Sequence, residues 1–318
     1  MLAVHPASLA AFGAVLVGYV ALSLALQLGL YRARAASAAA WRAQPRRGYG
    51  GAAAAARAWL PALVALRGDG DGRDGGEPRA PLHALFASVN LLVAAALAGA
   101  VTELALRGAG GCRIYGGGSG AGAGAGWLAA LPPAASFARE LLAACAWESA
   151  VEYAWHRAMH LPLCYRWLHR HHHVYRAPRP FDDMMIHPLE AIGYYCILYS
   201  PPFVFRMHGA SFAAYMAVMG VCGVLDHCGA RATLPGALAW LYDAADHDRH
   251  HELCSVNFGF PTMLIDRLAG TYAAPQKRAA ASATPAAAAV VPAAAPPAAR
   301  RRSLSAARTR RRTRVASS

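Results

Sequence analysis

Two stretches of this chain stay apolar for longer than the core helices of soluble proteins do. Residues 8–30, SLAAFGAVLVGYVALSLALQLGL, contain no Asp, Glu, Lys or Arg, and residues 84–106, ALFASVNLLVAAALAGAVTELAL, contain only Glu103, near the end. A helix needs about 20 apolar residues to cross the hydrocarbon layer of a bilayer. Two further runs are less clear-cut. Residues 134–155 carry Arg139, Glu140, Glu148 and Glu152, and residues 191–226 are long enough for two short spans. Hydrophobic residues make up 56% of the chain and charged ones 15%, which is apolar for a soluble protein. The sequence therefore predicts an integral membrane protein, all-α in class. The first run is expected to be a retained span, since nothing basic precedes it and no small-residue cleavage site follows.

Charge gives the expected topology. Arg32, Arg34, Arg42, Arg46, Arg47 and Arg57 follow the first run, which places that loop in the cytoplasm. The Gly-rich stretch 108–126 then lies in the lumen, and the third run returns to the cytoplasm. Residues 191–226 read as a hairpin, with SPPF at 200–203 and HGA at 208–210 supplying the break and turn. His187 and His227 flank that hairpin and so share one face of the membrane. The formal charge of +14 is concentrated near the C-terminus, where residues 272–318 hold ten Lys or Arg and no acid. Interspersed with Ala, Pro, Ser and Thr, this stretch reads as a disordered tail against anionic headgroups, and no nucleic-acid partner is expected. The expected division is thus 1–133 (N-terminal spans and low-complexity loops), 134–273 (a histidine-rich domain) and 274–318 (the tail). Seven scattered cysteines, never in a CxxC pair, suggest neither disulfides nor a zinc ribbon.

Seven of the chain's fourteen histidines fall within residues 156–190. His156 and His160 are four apart, and so lie on one face of a helix. His169, His172 and His173 follow the i, i+3, i+4 pattern, as do His247, His250 and His251. His171, two positions from His169, points elsewhere on a helix. With His187 and His227 the candidate ligands number ten. His5, His83 and His208 lie outside the set. Neutral imidazole is a ligand for iron, copper, zinc and nickel, and ten suit two octahedral ions at about five each. No E-x-x-H pair appears, so a carboxylate-bridged site of the soluble-bundle type is excluded. Two readings remain open on the residues alone: a redox centre, or a non-catalytic membrane metal-binding or transport protein. Transporter ligands tend to sit at the bilayer midplane in broken helices, whereas these lie past the helix ends.

The three boxes, HRAMH, HRHHH and HDRHH, together with HPLE, HCG and the segment VNFGFPTMLIDRLAGTY, resemble the fatty acid hydroxylase and sterol desaturase superfamily. The resemblance covers about residues 137–273. It implies a membrane-bound non-haem di-iron oxygenase of the endoplasmic reticulum, with a helical, histidine-rich di-metal cap facing the cytoplasm. Two Fe ions would be held by His156, His160, His169, His172, His173, His187, His227, His247, His250 and His251. Electrons would come from an external NAD(P)H-driven chain, with cytochrome b5 and its reductase as partners, since the chain shows no dinucleotide or haem motif of its own. The substrate would be a membrane lipid entering from the bilayer. LHRHHHVYRAP and HPLE lean toward C-4 methylsterol oxidases, whereas DHCG and DRLAGTY also resemble sphingoid-base hydroxylases; a fatty acid hydroxylase is a further alternative. No catalytic side chain is expected beyond the metal centre. Glu152, Asp226, Asp246 and Asp248 are candidates to orient the imidazoles through their free N–H groups, as is Glu190. Asn257 is placed to position the last box. Trp155, Trp167 and Trp240 read as aromatics of the membrane interface.

Overall fold

The computed structural model describes residues 4–34, 37–44, 81–116 and 131–275. Most of the low-complexity stretches and the basic tail after residue 275 lie outside the described residues. What is described belongs to one compact unit, Met1–Lys277.

Helix α1 (Pro6–Leu26) starts where Pro6 takes the first helical position and the Nδ1 of His5 accepts the Ala7 amide at 3.1 Å. It runs into a π-helical turn, Gln27–Arg32. After the short α2 (Ala38–Trp41) comes α3 (Pro81–Arg107). Helices α1 and α3 pack together closely. A Cβ at Gly99 would stand 3.0 Å from the Ser8 carbonyl oxygen, so the missing side chain permits the approach. The Glu103 carboxylate, the one acid in this pair of apolar runs, accepts from the His5 amide at 3.1 Å and the Ser8 hydroxyl at 2.6 Å.

Helix α4 (Ala134–Met159) leads to α5 (Pro162–Trp167) and a 3₁₀ helix, His169–Val174. The expected hairpin follows as α6 (Pro188–Leu198), α7 (Pro201–Val204) and α8 (Gly209–Asp226). Strands β1 (Ile114–Tyr115) and β2 (Met207–His208) pair in parallel near its turn, joining the two loops expected on the lumenal side. A second 3₁₀ helix (Gly236–Trp240), α9 (Ala244–Leu253) and α10 (Leu264–Ala269) complete the described chain.

Among the described residues three helices are long and apolar enough to cross a membrane: Pro6–Arg32, Leu85–Arg107 and Gly209–Asp226. The weaker run on α4 is not among them because it carries too much charge, with Arg139, Glu140, Glu148, Glu152 and Arg157 along its length. Glu140, Glu148 and Glu152 all face inward, so α4 turns its acids toward protein. Nor is α6 a span, because its 11 residues rise only about 16 Å. Within the hairpin, α8 alone is long and apolar enough to cross a membrane by itself.

Polar side chains tie the apolar helices to the loops that carry the site. Asn90 on α3 donates to the carbonyls of Met184 (3.0 Å) and Ile186 (2.8 Å). In return Tyr195 donates to the Asn90 carbonyl at 3.0 Å and Tyr199 to that of Ala94 at 2.9 Å. Tyr31 at the end of α1 donates to the Cys228 carbonyl at 2.8 Å, and Tyr19 bonds Asp183. These contacts link the first 107 residues to the histidine-bearing segments. Outward-facing Leu85, Leu92, Leu189, Ile192 and Val221 leave an apolar surface suited to lipid.

Candidate metal centre

The histidines are delivered by helix ends. His156 sits in the last turn of α4 and His160 is its C-cap; Pro162 then opens α5 and turns the chain. His227 is the C-cap of α8. Helix α9 begins where the Asp243 carboxylate accepts the Ala245 amide at 2.9 Å, and it ends at Cys254 in the left-handed region, φ 59°. His247, His250 and His251 share its inner face and are all buried.

The second box departs from the expected α-helix. His169–Val174 is a 3₁₀ helix, which turns about 120° per residue. Adjacent His172 and His173 point to different places, as His250 and His251 do on α9, and it is His173 that joins His169, with their Nε2 atoms 2.9 Å apart. Nine histidines form two adjoining groups, His156, His160, His169, His173 and His250 in one, His172, His227, His247 and His251 in the other. Within each group one ring nitrogen of every member lies within 4.8 Å of the others. The rings of His173 and His251, from different groups, are 4.9 Å apart.

His187, the tenth candidate, stands outside both groups. Its Nδ1 caps α6 by accepting the Leu189 amide at 3.2 Å, and its ring lies 5.8 Å from that of His171 and 5.4 Å from that of Phe86. Glu190, one turn further along α6, takes the place nearer the site, where its Oε1 meets the Nδ1 of His169. His171 also lies outside both groups, beside His187 and Phe86.

The tautomers can be deduced. The Nδ1 atoms of His156, His227, His250 and His251 contact the carbonyl oxygens of Phe258 (2.8 Å), Gly223 (2.8 Å), Val256 (2.6 Å) and Tyr175 (3.1 Å). A carbonyl only accepts, so each Nδ1 carries the proton and each Nε2 of a neutral ring carries a lone pair. Those lone pairs converge. His227 Nε2 is 3.1 Å from His172 Nε2 and 3.0 Å from His247 Nε2, and His250 Nε2 is 3.1 Å from His173 Nε2. Nε2 of His160 and of His251 are buried without a hydrogen-bond partner. Lone pairs facing one another in a buried space fit a cation between them.

Burial favours the neutral rings as well. It pushes His156 and His227 down to about 4 and His160 to about 3, with neighbouring imidazoles adding to the shift at His160 and His227. His169, His172, His173, His247, His250 and His251 are driven well below their usual range by burial and then by one another. Burial, followed by the charge of Glu152, pushes Glu190 up to about 8.

Of the five carboxylates expected to orient the rings, Glu190 bonds an imidazole, and backbone carbonyls supply much of the rest. Backbone carbonyls hold four rings, Glu190 holds His169, and the Cys254 thiol lies 3.4 Å from His173 Nδ1. Asp226 accepts from Tyr242 at 2.8 Å and Asp246 from Tyr272 at 3.1 Å, so these two brace the protein around the site. Asp248 is buried on α9. Glu152 lies one turn before His156, yet the proton of that ring goes to Phe258 instead. Asn257, fully buried at φ 57°, donates to the Asp246 and Ala273 carbonyls, both at 2.8 Å, and does position the last box. Asp266 was not foreseen. It accepts from the amides of Phe258 (2.8 Å) and Gly259 (2.6 Å) and from the Thr271 hydroxyl (2.7 Å), which fixes the loop carrying the Phe258 carbonyl. Trp155 is half-buried and packs on Gly193, where a Cβ would stand 2.4 Å from its ring.

Fold and site together define a helical protein with helices able to cross a membrane and a buried polyhistidine cluster that could hold metal. Residues 141–271 match the fatty acid hydroxylase family, and this segment belongs to the fatty acid hydroxylase and sterol desaturase superfamily. The chain is 32% identical over 120 residues to a Delta(7)-sterol 5(6)-desaturase of Leptosphaeria maculans, covering 38% of this chain and 33% of the relative. It is 30% identical over 122 residues to the Gibberella zeae Delta(7)-sterol 5(6)-desaturase ERG3A, covering 38% and 34%. Rat lathosterol oxidase is 28% identical over 120 residues, covering 38% and 40%. The chain thus spans between a third and two fifths of the length of these curated relatives. No solved structure gives a significant match.

Proposed function

We propose that this chain is a membrane-bound non-haem di-iron oxygenase that desaturates or hydroxylates a sterol-class lipid using O2 and external electrons. The observation carrying this reading is the convergence of nine histidines on two adjoining centres, with lone pairs turned inward. The group of five and the group of four would each take one Fe ion, and bound iron would supply the redox chemistry that activates O2. The protein's own contribution is geometric. Carbonyls of Phe258, Gly223, Val256 and Tyr175 lock four of the rings, Glu190 orients His169, and burial keeps bulk water away. The substrate's apolar body would reach the site from the lipid past the outward-facing residues of α3, α6 and α8.

The sterol assignment follows the names of the relatives, which act at the 5(6) position. That replaces the C-4 methylsterol oxidase reading with a sterol 5(6)-desaturase-like one. The endoplasmic reticulum, a cytoplasmic site, and cytochrome b5 with its reductase as the electron source belong to the same proposal. Purified protein with lipid, NAD(P)H and a reductase system should hold two irons per chain and consume O2. Mass analysis of the lipid then tells loss of two hydrogens from gain of an oxygen atom. Reversible zinc binding without O2 uptake would instead support a metal carrier.

A further inference from the structure

Helix α4 carries a row of side chains at four-residue spacing that leads into the histidine site: Glu140, Ala144, Glu148, Glu152, His156 and His160. Each step of four turns only about 40° and advances about 6 Å, so neighbours in the row stack while the row winds slowly round the helix. Every member within the helix is buried. The two ends of the row have partners or a place in the site. Glu140 accepts from the Tyr115 hydroxyl at 2.6 Å and the His208 amide at 2.9 Å, and the two histidines belong to the group of five. The middle pair has neither. The two carboxyls face each other, and outside the pair both oxygens of Glu148 and the Oε2 of Glu152 are buried without a hydrogen-bond partner; the residues are 0% and 9% exposed.

The groups in electrostatic reach of this pair are Cys145 on α4, Glu190 and Tyr194 on α6, and Tyr215, Cys222 and Asp226 on α8. None is a cation. An ionised carboxylate buried without a cation or hydrogen bonds is strongly disfavoured, so such groups hold their protons. A protonated Glu152 then stands one helical turn from His156.

We propose that Glu148 and Glu152 form a proton-holding pair that delivers protons along the inner face of α4 to the histidine site. This rests on the oxygenase reading. Hydroxylation balances as RH + O2 + 2e⁻ + 2H⁺ → ROH + H2O, and desaturation also takes up two protons, with two waters formed. The electrons come from an external one-electron carrier protein. The imidazoles are poor proton sources, because their Nε2 atoms face inward as lone pairs and the Nδ1 protons of four of them are committed to carbonyls. Ala144 interrupts the row before Glu140, so the pair acts as a local store rather than a conduit through the helix.

Infrared spectra of the metal-free, full-length protein test the store directly, since a protonated carboxyl absorbs apart from a carboxylate and shifts in D2O. Wild type should show that band at neutral pH, and Glu148→Gln and Glu152→Gln should each weaken it. Both variants should bind Co²⁺ at wild-type stoichiometry. With lipid, reductant and O2 each should lose about 100-fold in turnover, while Glu152→Asp recovers much of it. A missing band overturns the store. Normal turnover in both Gln variants overturns delivery, and loss of Co²⁺ from Glu152→Gln shows a support of the metal site instead. A band without any O2-dependent product from wild type sinks the oxygenase reading and proton delivery with it, leaving the pair a structural feature.

Discussion

The Nδ1 of His169 meets the Oε1 of Glu190, a buried carboxyl hydrogen bond to an imidazole of the five-histidine group. Other rings lean on neutral carbonyls, so this contact sets His169 apart electronically. Glu190→Gln should keep the fold but weaken the affinity of that group for Co²⁺ or Fe²⁺ by about 10–100-fold, the usual effect of losing such a partner. Glu190→Ala should weaken it further. Metal titration of the purified variants checks this, and wild-type affinity in both would show that the contact tunes nothing.

Replacing His172, His171 and His187 separates ligands from neighbours. His172→Ala should empty the four-histidine group, halving bound metal. His171→Ala and His187→Ala should keep full metal content, since both rings lie outside the two groups. His187→Ala should still lower stability by about 1 kcal/mol through loss of the α6 cap. Metal content by elemental analysis and thermal melting in detergent distinguish the three. Loss of metal from His187→Ala would return that residue to the ligand set.

Much of this site was legible from spacing. On α4 and α9 the i, i+4 rule placed His156 with His160 and His247 with His251, because regular α-helix makes sequence distance a reliable guide to direction. The rule also held for His169 with His173; it was the i, i+3 partner, His172, that went to the other group, as His250 did relative to His247. His187 was misplaced because a histidine before Pro has two uses, and here helix capping took the ring. The partners of the imidazoles were mostly hidden, since backbone carbonyls at Phe258, Gly223, Val256 and Tyr175 leave no mark in residue type. Charge already marked the α4 run as weaker in the sequence; that its three glutamates turn inward became visible only in the fold.

The metal-free site should make stability depend on pH. In the folded protein His156 and His227 titrate near 4 and His160 near 3, against about 6.5 in an unfolded chain. Below about pH 6.5 the unfolded state therefore binds protons that the folded site refuses, and stability rises with pH across that window. From these groups no further gain comes above it. The melting temperature of metal-free protein should fall steadily from pH 6.5 to 4. A flat profile there would mean that the rings are not buried as described.

Asp266 offers a test of how far support extends from the metal ligands. Its carboxylate touches no histidine, yet it holds the Phe258 and Gly259 amides and so aims the Phe258 carbonyl at His156 Nδ1. Charge-assisted bonds of this kind contribute about 1.5–3 kcal/mol each when buried. Asp266→Asn keeps the shape but loses charge and one acceptor, because its amide nitrogen cannot accept from an N–H. The variant should lower the melting temperature and, with the Phe258 carbonyl released, let His156 adopt either tautomer. Nitrogen NMR of the imidazoles would then show His156 Nδ1 partly unprotonated, while His227, held by Gly223 on α8, keeps its wild-type signal. If both signals are unchanged, the loop holds its shape without Asp266, and the order imposed on His156 originates within α4 itself.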